Sequence, residues 1–172
     1  MRMRDQRPVD LARVTQLINK TNQFNPTTRR HSLEEVTRFG ADAACVALQF
    51  RLVDRRGDNG LVSVLILRPV GTEAGILSID TWVMSCRVFG RELEFEIMNI
   101  AVEAAREHGA CTLQADYIPT AKNDVIRNLY PTLGFQPRAL TVDEPGKTGW
   151  QLSLDQYQPR RTHISRRPNP ND

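Results

Sequence analysis

The densest group of reactive residue types in this chain is the short run Cys86-Arg87-Val88-Phe89-Gly90-Arg91, which places a thiol and two guanidinium groups around one glycine. It follows a strand-like stretch, Ile76 to Ser85, and precedes a long helical pattern. A strand that feeds a glycine loop into a helix aims several free backbone N–H groups at one point, and that point binds anions. The helix terminus adds ~0.3–1 kcal/mol of preference for negative charge, and Arg87 and Arg91 strengthen it. Phosphate is the natural guest. The same field favours a thiolate, so Cys86 at the mouth of the loop is a candidate nucleophile. Short patterns recur by chance, and the plainer alternative is a turn with two solvated arginines.

Asp80 is the second candidate. It stands mid-strand beside Trp82, as the only carboxylate in a β core position. It is either a general base whose pKa burial raises or a structural carboxylate satisfied by nearby donors. The third candidate is the polar run Asn19 to His31, which holds Asn22, Asn25 and Thr28 around Phe24. Such a run is either surface filler or a set of hydrogen-bonding groups for a polar acyl group or acceptor. The three cysteines include no C-x-x-C pair and there are only three histidines, so the sequence offers neither a metal site nor a disulfide framework. Cys45 and Cys111 lie in apolar runs and read as small core residues.

These residues need elements to position them. Leu11, Val14, Leu17 and Ile18 recur at helical spacing behind Asp10 as N-cap, and Ser32-Leu33-Glu34-Glu35 is a capping box that opens a second helix ending near Gly40. Cys45 to Val53 and Leu61 to Leu67 flank the turn cluster Arg56 to Gly60 and predict a hairpin. Ile76 to Ser85 then makes a third antiparallel strand. Strict alternation puts Ile76, Ser78, Asp80, Trp82 and Met84 on one face, and Leu77, Ile79, Thr81 and Val83 on the other. The helix from Gly90 to His108 carries an apolar face through Leu93, Ile97, Ile100, Ala101 and Ala104, with Gly109 closing it. Cys111 to Tyr117 completes a parallel βαβ unit. A short helix from Asn123 to Leu133 follows, and Arg138 to Val142 with Trp150 to Leu154 predicts a closing hairpin.

At 172 residues the chain has the length of one domain with a core of its own. The expected organisation is a polar leader over 1–9, one α/β (α+β) domain over 10–155 and a disordered basic tail over 156–172. Four arginines in that tail, Arg160, Arg161, Arg166 and Arg167, set against Asp172, account for the whole net charge of +3. The neutral body argues against nucleic acid as a partner. No apolar run is long enough for a membrane span, and the first ten residues lack the apolar centre of a signal peptide, so a cytoplasmic protein is expected.

The order of elements, with Arg87-x-x-Gly90, Asn123 followed seven residues on by Tyr130, and Gly134-Phe135, resembles the GNAT acyltransferase superfamily over about residues 10–154. That resemblance implies a mixed sheet of three antiparallel strands, then a parallel βαβ unit and a C-terminal hairpin. It implies coenzyme A or acetyl-CoA as donor, with pyrophosphate on the loop amides around Arg87, Val88, Gly90 and Arg91. Pantetheine would run between strands ending at Met84 and Tyr117, Asn123 would hold the arm, and Tyr130 would protonate the departing thiolate. Glu92 stands where the family pattern wants a small residue, which argues against a tight pyrophosphate fit.

A narrower set of segments is similar to the C-terminal half of FkbH-type proteins: Gln16 to Asn25 with Thr27 to Arg30, Gly57 to Val62, Trp82 to Arg91, and Tyr117 to Asn123. This resemblance implies glyceryl capture from 1,3-bisphosphoglycerate and delivery as a thioester to the phosphopantetheine of an acyl carrier protein in polyketide biosynthesis. Cys86 would carry the enzyme thioester, and Asn22, Asn25 and Thr28 would read the glyceryl hydroxyls. The HAD-type phosphatase half of such proteins has no counterpart here, since no Asp-x-Asp occurs, so it would act in cis from a missing half or in trans. The alternatives are an acetyl-CoA-dependent N-acetyltransferase, with Asp80 or water as base and Tyr130 as acid, and a non-catalytic module that docks a carrier protein.

Overall fold

The computed structural model describes residues 2–3, 10–140 and 145–166. Among the described residues seven strands form one mixed sheet in the order β1-β2-β3-β4-β5-β7-β6. They are β1 (Arg2–Met3), β2 (Val46–Asp54), β3 (Gly57–Pro69), β4 (Ile76–Met84), β5 (Thr112–Tyr117), β6 (Gln136–Arg138) and β7 (Thr148–Ser153). β1 to β4 run antiparallel to their neighbours, β4 and β5 are the parallel pair, and β7 lies between β5 and β6. The mixed sheet expected from the sequence is therefore present. The β2–β3 turn is shorter than expected, with only Arg55-Arg56 unpaired, because Gly57 and Asp58 already pair with Asp54 and Val53.

Two helical layers cover the sheet. Helix α1 (Leu11–Lys20) is capped by Asp10, whose side chain accepts from the Arg13 amide at 2.9 Å, and α2 (Leu33–Ala41) opens on the Ser32/Glu35 capping box. Their apolar stripes, Val14 and Ile18 on α1 and Val36 and Phe39 on α2, pack with Val64, Ile66 and Val83 on one face. Helix α3 (Leu93–Glu107) and the short α4 (Leu129–Thr132) cover the other face with Leu65, Leu67, Leu77, Ile79, Trp82 and Met84. Each fully buried aliphatic side chain contributes roughly 1.5–3 kcal/mol. Among the described residues no helix is long and apolar enough to cross a membrane.

One irregularity reorganises the sheet's centre. Along the β3–β4 ladder Ile66 faces Thr81 while Leu67 faces Ile79, so Asp80 is an extra residue, a β-bulge on β4. The bulge shifts the alternation: Leu77 and Ile79 share the α3 face with Trp82 and Met84, while Val83 lies on the α1/α2 face. The strict alternation expected for this strand is thus corrected, and Asp80 does not share a face with Trp82. Immediately past the bulge β4 and β5 part, since their ladder runs from Ile76/Thr112 only to Ile79/Ala115 although both strands continue.

The C-terminal segment also departs from expectation. Residues 155–166 are ordered against α3: Tyr157 donates to Asn99 at 2.7 Å, Arg160 lies over the Phe95 ring at 4.6 Å, and Arg166 pairs with Glu96 and Glu103, both at 2.6 Å. The buried Glu96 and Asn99 explain the docking, because polar groups inside a helix face need partners. Residues 167–172 of the expected tail, most of the expected leader, and Thr141 and Val142 of the closing hairpin lie outside the described residues.

Candidate functional site

The gap where β4 and β5 part is filled by the chain itself. The segment Phe24-Asn25-Pro26-Thr27, all buried, enters between them. The Phe24 carbonyl accepts from the Met84 amide at 3.3 Å, the Pro26 carbonyl from the Ile118 amide at 2.8 Å, and the Thr27 hydroxyl donates to the Asp80 carbonyl at 3.0 Å. Asn123 locks the wedge. Its Nδ2 donates to the Asn25 carbonyl at 3.1 Å and to Ile118 at 2.9 Å, while its Oδ1 accepts from the Thr120 amide at 2.7 Å and from the Tyr117 hydroxyl at 3.2 Å. All the hydrogen-bonding capacity of that amide is spent inside the protein. Two expectations are corrected here: the slot between the strands ending at Met84 and Tyr117 is not open, and Asn123 offers no free group to a pantetheine arm.

On the α3 side of the wedge lies a cavity of about 260 Å³, walled by Phe24, Met84, Phe89, Ile126 and Leu129 and reaching Gly90 and Glu94. The loop above it is built differently from the simple strand-to-helix turn. Cys86–Val88 forms a single 3-10 turn and α3 starts only at Leu93, so Cys86 and Arg87 precede the helix by a full loop. Cys86 is exposed and lies outside the cavity wall, without the long-helix dipole expected to activate it. Arg87 bonds Ser85 at 3.2 Å and reaches the Asn59 carbonyl at 3.5 Å, and Arg91 is ion-paired to Asp54. Both guanidinium groups thus lean toward the β2–β3 hairpin. Val88 is a buried core residue.

The feature of this loop suited to an anion is its backbone. Gly90 and Glu92 have φ of 72° and 58°, left-handed conformations. Among the described residues the N–H groups of Gly90 and Glu92 have no backbone acceptor at hydrogen-bonding geometry, while the turn over Phe89 and Gly90 closes onto the Arg91 N–H. Alternation of left- and right-handed residues turns successive N–H groups into a concave nest for anions. α1 and α2 carry side-chain caps, whereas α3 has none at Glu92, so its first N–H groups point outward as well. Glu92 takes the backbone shape a glycine would adopt freely, at a cost of ~1–2 kcal/mol, and its side chain is exposed. Glu94, on the first turn, carries a buried Oε2 without a hydrogen-bond partner and lines the cavity. Its role was not signalled by the sequence, where it reads as one of several acids in a first turn.

Tyr130 is 1% exposed and packs on Phe135 at 5.1 Å between ring centres. Its hydroxyl is buried without a hydrogen-bond partner, and burial, reinforced by the charge of Asp116, pushes its pKa far above the ordinary phenol value. It therefore stays protonated, but it does not line the cavity, and so high a pKa does not suit the thiolate-protonating role expected of it. Of the polar run, Asn22 accepts from Arg30 at 2.6 Å and is exposed. Asn25 is 1% exposed with its Nδ2 on the Arg29 carbonyl at 3.2 Å and its Oδ1 unpartnered, and Thr28 sits at φ 57° where the wedge ends. Asn22 and Asn25 hold the loop together rather than converging on one ligand point.

On the α1/α2 side of the wedge, Asp80 is the hub of an ion-pair cluster. Its Oδ1 takes Arg29 and Arg68, the latter at 3.1 Å, and its Oδ2 takes Thr81 at 2.9 Å and His31 at 3.2 Å. Burial alone would raise its pKa, but the His31 hydrogen bond, the Arg29 charge and the Thr81 hydroxyl outweigh it and hold the carboxyl well below the ordinary range. The general-base expectation, which needs a raised pKa, is corrected: this carboxylate is a weak base fixed in its charged form.

No protein-family profile matches the chain, and no curated protein sequence does. Solved structures share its fold. A GNAT-family protein from Desulfovibrio desulfuricans superposes with a TM-score of 0.68 at 16% identity, over 88% of this chain and 98% of the other. The GNAT domain of S. lividans PAT gives 0.67 at 15% identity, over 88% and 89%. The spermidine N-acetyltransferase from Vibrio cholerae, solved with CoA and spermine, gives 0.63 at 14% identity, over 89% and 95%. The chain therefore has the GNAT fold.

Proposed function

We propose that this protein transfers an acyl group from a coenzyme A thioester, acetyl-CoA in the simplest case, to an amine. The observation that carries the reading is the adjacency of the Gly90–Glu92 amide nest to the apolar cavity at the end of β4. A phosphorylated thiol ester presents those two chemistries in series: phosphate oxygens for the nest, and a narrow arm with amide N–H groups for the cavity. Solved proteins of this fold bind CoA or acetyl-CoA.

The thioester supplies an activated carbonyl; transfer makes one C–N bond, breaks the C–S bond, releases a proton from the amine and leaves a thiolate. The chain's own groups divide the rest of the work. The Gly90 and Glu92 amides hold phosphate, Glu94 Oε2 accepts an N–H from the arm, and Phe24 and Met84 exclude water from the cavity. Tyr130 lies outside the cavity wall and burial makes it too weak an acid for a thiolate, so the departing thiolate takes its proton from water. Asp80 is committed to its cations, so the amine loses its proton to water.

Titration of the protein with acetyl-CoA by calorimetry tests this directly. Saturable binding is expected, weakened at least tenfold in Gly90→Val, which has to leave φ 72° and so dismantles the nest. Absence of binding up to millimolar acetyl-CoA sinks the reading.

A second reading, glyceryl transfer onto an acyl carrier protein with a HAD-type phosphatase as partner, rests on the exposure of Cys86 at the end of β4. A carrier-borne arm brings one phosphate, which the nest accommodates despite Glu92. Intact mass after incubation with a glyceryl-loaded carrier distinguishes it: an adduct that disappears in Cys86→Ala supports it, and an adduct that persists removes Cys86 from that role.

A further inference from the structure

We propose that the polar cavity on the α1/α2 side of the parted strands is an oxyanion site, and that it holds the carboxylate or phosphate of the acyl acceptor. The cavity is about 720 Å³ and its wall includes Arg29, Arg68 and Arg138 together with Asp80, Asp116 and Glu73. Counted by charge the wall looks balanced, yet its acceptors are spent. Asp80, with only 2% of its side chain exposed, receives four donors, and Asp116 is held by Arg138 and by Lys147 at 3.3 Å. Glu73, exposed at the rim, is the one lining carboxylate without a basic partner among the described residues.

The donors, by contrast, are partly unspent. Arg29 and Arg68 each give Nη1 to the same Asp80 oxygen and remain 47% and 46% exposed. That shared oxygen keeps the two guanidinium groups side by side, and stacking of Arg68 over the Phe39 ring at 5.0 Å fixes its plane. Arg138 has a buried Nε without any hydrogen-bond partner. A buried unpaired N–H is costly, and an oxyanion in the cavity would satisfy it. Paired, planar arginines suit carboxylate and phosphate oxygens better than any neutral ligand.

The position gives the site its purpose. Ile79/Ala115 is the last β4–β5 pair, and Asp80 and Asp116 are the next residues on each strand. The cavity therefore opens where the sheet parts, across the Phe24–Thr27 wedge from the donor cavity. Its use by an acceptor rests on the acyl-transfer reading, whereas the oxyanion site itself stands without it.

The test is an NMR titration of the full-length, isotopically labelled protein with inorganic phosphate and, separately, malonate, at constant ionic strength and without donor. Saturable shifts are expected at Arg68, Gln114, Asp116 and Arg138, with chloride producing none. Tighter binding of phosphate identifies a phosphorylated acceptor, and tighter binding of malonate a carboxylic one. Arg68→Lys keeps a cation on Asp80 but loses the planar fork, and weakens both by about tenfold. Shifts confined to residues 88–94, or binding unchanged in a folded Arg68→Lys, overturn the proposal. Acetyl-CoA binding measured on the same sample separates this failure from failure of the acyl-transfer reading.

Discussion

The carbonyl of Phe24 accepts a hydrogen bond from the amide of Met84 at 3.3 Å, across a gap that two strands of one sheet have opened and do not close. The wedge therefore occupies β4 hydrogen-bonding positions that a bound ligand arm would otherwise use, and a long bond of 3.3 Å is a weak one to displace. Asn123 is the side chain that ties the wedge to the segment after β5, with one of its four bonds on the Asn25 carbonyl and three on Tyr117, Ile118 and Thr120. Asn123→Ala is expected to cost about 2–4 kcal/mol, since it strands several buried groups at once. Thermal unfolding measures the loss, and hydrogen exchange should quicken at the Met84 and Ile118 amides, which donate to the wedge. A variant of unchanged stability that only loses donor affinity would assign Asn123 to the ligand instead.

Glu92 opposes ligand binding in two ways: its carboxylate repels phosphate, and its left-handed backbone is strained. Glycine at that position removes both, against ~0.5–1 kcal/mol of added chain entropy in the unfolded state. Glu92→Gly is expected to leave stability within about 1 kcal/mol of the parent. Acetyl-CoA affinity should rise about three- to tenfold at low salt, an advantage that shrinks as salt screens the removed charge. Calorimetry at two ionic strengths checks it.

The order of elements, the capping of α1 and α2 and the parallel β4–β5 pair were legible, because periodicity and turn chemistry are local signals, whereas the closing hairpin was legible only as an element: its first strand lies at Gln136–Arg138, not Arg138–Val142. The left-handed turn at Gly90 was legible for the same reason. Illegible were features that depend on pairing across the sheet. A bulge at Asp80 leaves no mark in the alternation of β4, yet it reverses which face each later side chain takes. The wedge joins residues nearly a hundred positions apart, as Asn25 and Asn123 do. Arg29 and Arg68 acquire meaning only through the Asp80 oxygen they share. The ordered tail was missed because its composition reads as disordered, while its anchors, Glu96 and Asn99, are buried on a helix whose burial the tail itself completes.

That tail is a stabilising strap. Glu96 is held below the ordinary carboxyl range: burial would raise it, and the Arg166 and Thr162 hydrogen bonds overcome that. Removing residues 156–172 takes from Glu96, Asn99 and Phe95 every partner the tail supplies, leaving Glu96 and Asn99 only their bond to each other. The truncated chain is expected to lose about 2–4 kcal/mol, and Arg166→Ala alone about 1–2 kcal/mol because its side chain is partly exposed. Denaturant unfolding of both, followed by circular dichroism, gives the comparison.

The Asp80 cluster makes a pH-dependent prediction with a definite sign. A carboxyl whose folded pKa lies below its unfolded value of about 3.9 contributes stability that is fully present above that value and is lost as pH falls toward the folded one. Asp80 is depressed in this way. Asp80→Asn leaves Arg29, Arg68 and His31 around an uncharged amide, so at neutral pH it should be less stable by about 1–3 kcal/mol, discounted for the half-exposed arginines. As pH falls below about 4 the parent loses its advantage and the two unfolding temperatures converge. A general base with a raised pKa would behave in the opposite way. The Asn variant would then equal or exceed the parent in stability at neutral pH, while losing the acidic limb of its rate profile. Melting temperatures of both proteins between pH 2 and 7, read beside the rate profile, decide between a structural anion and a base.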